Sequence, residues 1–468
     1  MGREARGDRA VTNSSVARAT NPPTAGVGTP DVGATTAGDS YAPTSGNGGY
    51  TSERYALDLD YRVNTNRLTG TAVLSLRATQ ELKRFTLDLV GMSVSGVLVN
   101  GSRAARYSQG SGKLTITVAH PIASGSAFSV EVRYAGSPSP RRSSWGEVGW
   151  EELSDGVLVA GQPTGAPTWF PCNDHPSDKA TYSISVTVAS GYRVVANGRL
   201  VSSRARSSRT QWRFESPEPM ATYLATLQIG TYREQRVDSP PVAQLAYFPD
   251  DLSREFADDF GPQPAMLETF ERLFGPYPFG QYSVVVTDDE LEIPLEAQGL
   301  SIFGRNHVDG VGGSRRLIAH ELAHSWFGNS LTASSWKHIW LHEGFACYAE
   351  WLWSENSGGH TAHELALQHW PRVKAQDEDF AIGDPGAALM FDDRVYKRGA
   401  LTLHAVRLTL GDDLFFRMLR EWTDKYRHGS VTTEDFVSHV DDFSGHDLAP
   451  LLHSWLFENA LPRLPRKR

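Results

Sequence analysis

In the stretch LIAHELAHSWFG, His320 and His324 stand four residues apart with Glu321 between them. On a helix, positions i and i+4 lie one above the other, so both imidazoles can reach a single ion while the Glu321 carboxylate points beside them. Glu343 follows nineteen residues after His324, in WLHEGFACYAEW, where the pattern starts a second helix after a short turn. Two neutral imidazoles and one carboxylate leave a fourth tetrahedral position for water. That is the donor set of a catalytic zinc site, whereas structural zinc sites usually close with thiolates. The spacing points to one zinc ion per chain, held by His320, His324 and Glu343. Glu350 comes seven residues after Glu343, two turns on and on the same face, where it could orient a ligand imidazole from behind.

Two hydrophobic periods supply the elements that must hold these groups. From Tyr50 the apolar residues alternate, with Tyr55, Leu57, Leu59, Tyr61 and Val63 on one face, then Leu114, Ile116 and Val118, then Phe128, Val130, Val132 and Tyr134. Tyr182, Ile184, Val186 and Val188 continue the pattern of half-buried strands to about Thr231. Beyond about residue 236 the spacing lengthens, and Met266, Leu267, Phe270, Leu273 and Phe274 share one helix face before Gly275-Pro276 ends it. One strand over 282–286 is followed by helical segments around 317–327, 343–353, 362–370, 396–408 and 413–426. The reading is an α+β multidomain chain, with an all-β domain over 50–235 and a mostly helical domain over 236–468. Residues 1–49 are dominated by Gly, Pro, Thr, Ala and Ser and offer little apolar surface to offset the entropy of ordering them. They are expected to form a disordered tail.

Composition narrows the class. The chain has 468 residues and a formal net charge of −9, so a nucleic-acid partner held by a general basic field is disfavoured. Apolar residues at 40% and charged residues at 21% fit an ordinary globular protein rather than a fibrous or wholly disordered one. No run approaches the roughly 18 apolar residues of a membrane helix. The first twenty residues have no apolar core of a secretory leader, so a cytoplasmic location is the default. Several apparent signals are set aside. His363-Glu364 with His369 has the wrong interval for shared ligation, since i and i+6 lie on nearly opposite helix faces. Cys172 and Cys347 read as buried small side chains, and Trp336 and Trp340 as packing.

The motifs resemble those of the aminopeptidase N and leukotriene hydrolase family, gluzincin zinc metallopeptidases that pair H-E-x-x-H with a glutamate at this same interval. The strings HELAHSWFGNSLT and WLHEGFA are close to the family's wording. The family's Gly-x-Met-Glu-Asn element corresponds to Ile293-Pro294-Leu295-Glu296-Ala297, with the glutamate kept, and its Tyr-x-x-Gly element to Tyr396-Lys397-Arg398-Gly399. Upstream, WFPCNDHP resembles Phe-Pro-Cys-Phe-Asp-Glu-Pro, and Gln162 falls where the family carries Glu or Gln. The resemblance runs from about residue 50 onward. It implies a saddle-shaped β domain followed by a thermolysin-like domain, in a short form without the family's large C-terminal helical domain.

It also implies a zinc-dependent aminopeptidase acting on peptides with a free N-terminus. Glu321 would be the general base that activates water and then protonates the leaving amine. Glu296 would read the substrate's α-ammonium, with Gln162 supplying a second hydrogen bond. Tyr396 would hydrogen-bond the oxyanion that forms at the attacked carbonyl. Each has a plainer alternative: an exposed helix carboxylate for Glu321, an acid-rich surface loop for Glu296, a β-loop amide for Gln162, and a helix-face aromatic for Tyr396. Endopeptidase or leader-trimming activity and a non-catalytic peptide-binding module are the competing functions.

Overall fold

The alternating positions fold as the period demands. In a computed structural model, which describes residues 31–237 and 242–466, Tyr55, Leu57, Leu59 and Tyr61 all point inward from the strand Tyr50–Arg62 and are almost wholly buried. This strand sits inside an eight-stranded sheet, antiparallel to Arg67–Ala78 and parallel to Ala180–Ala189. A three-stranded sheet built on Leu82–Asp88 and a five-stranded sheet complete the β domain. The five-stranded sheet includes the hairpin of Gly146–Leu153 and Gly156–Ala160, and the second of these strands runs directly into Gln162.

The second domain is built around nine described helices: α1 (Ser253–Phe260), α2 (Gln263–Phe274), α3 (Arg315–Ala323), α4 (Trp340–Asn356), α5 (Ala362–Lys374), α6 (Asp393–Leu410), α7 (Asp412–Lys425), α8 (Thr433–Ser444) and α9 (Ala449–Phe457). Gly275, at φ 98°, ends α2 where the sequence places the stop. Among the described residues no helix is long and apolar enough to cross a membrane.

Three expectations need correction. The second domain carries a five-stranded sheet rather than a single strand, in the order Arg233–Val237, Gln244–Phe248, Tyr282–Thr287, Leu300–Gly304, Leu295–Ala297. Three of these strands are buried at every position and therefore show no alternation to read. The strand Arg233–Val237 pairs within this sheet, so it straddles the boundary expected at 235/236. Residues 31–49 are not a disordered tail: Tyr41 and Ala42 are buried, and Gly33 donates its N–H to the Arg84 carbonyl at 2.8 Å. Composition is blind to such point contacts. Residues 1–30 of the expected tail lie outside the described residues.

Helices α4 and α6 cross at a pair of glycines. A Cβ on Gly399 would lie 2.6 Å from the Gly344 Cα, and one on Gly344 would lie 2.8 Å from the Gly399 Cα. No backbone pair tolerates such distances, so the two helix axes are held at a separation only glycine allows. Gly344 directly follows Glu343, and Gly399 lies one turn beyond Tyr396, so this contact sets how closely those two side chains approach. Gly399→Ala gains about 1 kcal/mol of helix propensity yet forces the helices apart. A net destabilisation of about 1–3 kcal/mol is expected, read as a lower denaturant midpoint; an unchanged or higher midpoint would contradict this account of the crossing.

Candidate metal centre and active-site cleft

Helix α3 presents Arg316, His320 and His324 at successive four-residue steps. His324 caps the helix in still-helical backbone, so the i, i+4 relation survives to the last turn. Helix α4, packed against it, brings Glu343 in its first turn and Glu350 two turns later. One ligand atom from each of His320, His324 and Glu343 lies within 4.8 Å of the others. The Glu343 Oε2 is 3.4 Å from His320 Nε2 and 3.6 Å from His324 Nε2. All three residues are buried.

The opposite ring nitrogens fix the tautomers. His320 Nδ1 lies 2.8 Å from Glu350 Oε1, and His324 Nδ1 lies 2.9 Å from the Phe327 carbonyl oxygen. Both acceptors require a proton on Nδ1, which leaves each Nε2 facing Glu343 as the atom that can take an ion. Glu350 is in turn held by the Arg316 guanidinium at 3.0 Å. Burial acts to raise the Glu350 carboxyl, but His320, Lys397 and Arg316 outweigh it and hold it at about 2. At His324 burial, joined by the charge on His320, outweighs the pull of Glu343 and brings the imidazole down to about 4, which suits a neutral ligand. At His320 burial is outweighed by Glu343 and Glu350, and the imidazole rises to about 10. A positive charge is therefore wanted at this point, and a divalent cation replacing that proton meets the need. The donor set, its burial and the two Nε2 atoms facing Glu343 fit zinc.

Two further carboxylates face the same space. Glu321 is buried with one oxygen lacking any hydrogen-bond partner. Glu296 lies on Leu295–Ala297, the edge strand of the sheet, and an oxygen of each of Glu296 and Glu321 falls within 4.8 Å of the other and of a His324 nitrogen. Burial, with the charges of neighbouring carboxylates, raises both groups above the usual carboxylate range. Gln162, from the other domain, donates to Glu296 Oε1 at 2.7 Å. The Tyr396 ring stacks 6.0 Å from the His320 imidazole at 20°. Burial, then the charges of Glu343, Glu296 and Glu321, keep its phenol protonated and hence a donor.

All eight residues singled out from the sequence thus gather at one cleft. Glu296 does not belong to the acid-rich surface loop before it, whose Asp288 instead pairs with Arg305. The signals set aside lie elsewhere: His363 Nδ1 is 3.1 Å from His404 Nε2, and His369 stacks on Trp351. Cys172 and Cys347 are buried and free, and Trp336 and Trp340 are packed in the core. Sequence reasoning passed over Arg316, although its position four residues before His320 was a usable signal. It also passed over Lys179, whose Nζ donates to the carbonyls of Asn329 and Ser330 and to Thr332 Oγ1, tying the β domain to the segment after His324. The Phe327 carbonyl left no trace in the sequence, because every residue has one.

The chain is similar to known proteins. The family model described as the peptidase M1 N-terminal domain matches residues 51–224, and that of the peptidase family M1 domain matches residues 260–455. A leucyl aminopeptidase of Saccharolobus solfataricus is 25% identical over 444 residues, 87% of this chain and 54% of its own length. A crystal structure of an M1 zinc metallopeptidase from Deinococcus radiodurans superposes with a TM-score of 0.86 at 29% identity, covering 92% of this chain and 100% of that one. A mutant of that enzyme bound to a Tyr-Ser-Ala substrate gives a TM-score of 0.85 with the same identity and coverage. The chain spans about half the length, or less, of the curated relatives it matches. With both consecutive family domains matched in order and the metal-ligand geometry built on their fold, the chain belongs to peptidase family M1.

Proposed function

We propose that the chain is a zinc-dependent aminopeptidase that removes N-terminal residues from peptides. His320, His324 and Glu343 would hold the ion, which when bound supplies Lewis-acid polarisation of the scissile carbonyl and a lowered pKa for water. Glu321 takes the proton from the attacking water and passes it to the leaving amine; its buried, unpartnered oxygen is free to do both. Tyr396 donates its phenol proton in a hydrogen bond to the carbonyl oxygen as negative charge grows there. Glu350 keeps the His320 tautomer in place, as Arg316 keeps Glu350.

The observation that carries the reading is the closeness of Glu296 to the metal ligands. In a peptide, the α-nitrogen and the first carbonyl carbon are two bonds, about 2.5 Å, apart. A carboxylate within 4.8 Å of Glu321 and His324 can therefore bind the ammonium only of the residue whose own carbonyl is attacked. Such a site cuts after the first residue. The ammonium also relieves the repulsion that raises the Glu296 carboxyl, and Gln162 holds that carboxylate in line. The tripeptide-bound neighbour supports peptides as the substrate class. A cytoplasmic location belongs to the same proposal.

N-acetylation of a peptide substrate should lower kcat/KM by about 10–100-fold, the value of a charge-assisted hydrogen bond; equal turnover of blocked and free peptides would mean endopeptidase action instead. Glu321→Ala should lower kcat by about 10²–10⁴-fold while zinc, measured by elemental analysis, stays near one per chain. Glu350→Gln should behave differently and weaken zinc binding by about 10–100-fold in a chelator competition. Unaltered affinity in that variant would remove Glu350 from the metal site.

A further inference from the structure

Residues 31–49, which precede the part of the chain matched by the M1 N-terminal model, run as a strap from one domain to the other. At its ends the strap is tied to the β domain, through Gly33 to the Arg84 carbonyl and through the Asn47 amide to Asp88 Oδ2 at 2.7 Å. At its middle the buried Asp39 accepts the Trp336 N–H of the second domain at 3.0 Å and lies 3.3 Å from His175 Nε2 of the first. Two residues on, the buried Tyr41 reaches the loop between α5 and α6. Its hydroxyl donates to the Asp384 carboxylate and accepts the Gly386 N–H at 2.7 Å. The β domain grips the same loop from another direction, through the turn that joins the paired strands Arg141–Ser143 and Gly146–Leu153. The Trp145 indole N–H donates to the Ala387 carbonyl at 2.7 Å, and its ring meets Phe391 edge-on at 6.4 Å.

From Gly386 a run of short-range hydrogen bonds leads to the start of α6. The Leu389 N–H donates to the Gly386 carbonyl at 3.1 Å, and the Asp392 N–H donates to the Leu389 carbonyl at 3.0 Å. The Asp392 carboxylate then caps α6 by accepting the Arg394 N–H at 2.9 Å. Tyr396 is four residues past that cap. Further along, α6 is pinned to α4 at Gly399, so the end that the loop steers is the turn bearing Tyr396.

We infer that Tyr41, together with Trp145, is a positioning residue for the reaction: from the β domain the pair holds the 384–392 loop and thereby sets the angle at which Tyr396 meets the substrate carbonyl. Neither side chain is one of the groups assigned to substrate or metal. The inference rests on the hydrolytic role proposed for Tyr396 and extends it, at Tyr41, to a part of the chain that the family model does not cover. Tyr41→Phe keeps the packed ring and removes one donor and one acceptor, freeing the loop without emptying the core. A small misplacement of a group that acts mainly in the transition state is expressed in kcat rather than in ground-state binding.

A double-mutant cycle on the full, zinc-loaded chain tests this. Tyr41→Phe is expected to lower kcat about tenfold, with KM and zinc content unchanged. In a Tyr396→Phe background the same substitution is expected to alter kcat by less than about twofold, because there is no phenol left to position. Trp145→Phe, taken through the same cycle, provides a second route if Tyr41→Phe does not fold. An equal loss in both backgrounds overturns the inference, as does an unchanged kcat or a loss that tracks zinc content. Full turnover by Tyr396→Phe alone is a separate result and overturns the role proposed for Tyr396 itself.

Discussion

Four carboxylates, those of Glu296, Glu321, Glu343 and Glu350, are crowded into one largely dry cleft. Two unit charges of like sign at 4–5 Å repel by about 3–4 kcal/mol at an effective dielectric of 20. The protein meets only part of this with its own cations. His320, Lys397 and Arg316 settle Glu350, which is held at about 2, and His324 with His320 lowers Glu343 as well. Glu296 and Glu321 remain raised, and His320 holds a proton tightly. The cleft is thus short of positive charge. In the function proposed, binding of metal and of substrate would relieve the same strain.

Holding that strained arrangement requires close and rigid packing behind it. Helices α3 and α4 place their polar groups at steps of one or two turns, so each helix offers a single working stripe and buries the rest of its surface. The paired glycines at 344 and 399 then bring α6 in against α4, and with it Tyr396. The ligand imidazoles are themselves backed by Glu350 and by the Phe327 carbonyl, so their orientation does not depend on the ion being present.

The β domain is more than a platform. Through Gln162 it holds the Glu296 carboxylate, and through Lys179 it pins the segment after His324. The strap and the Trp145 hairpin reach the loop before α6. Residues of the cleft therefore come from both domains, and the relative placement of the two domains is a determinant of its shape.

By itself the sequence determined the local relations. The four-residue step between His320 and His324, the two-turn step from Glu343 to Glu350 and the alternation of Tyr55, Leu57, Leu59 and Tyr61 all follow from helix and strand periods, which are properties of consecutive residues. Glu296, Tyr396 and Gln162 were legible only by resemblance, because nothing in their neighbours' spacing says what they face. Tertiary structure alone decided that Glu296 leaves the acid-rich loop for the cleft, that fully buried strands such as Gln244–Phe248 form a sheet, and that residues 31–49 are ordered by Asp39, Tyr41 and Asn47. Each of these depends on contacts between residues far apart in the chain, where burial and a distant partner override composition and local period.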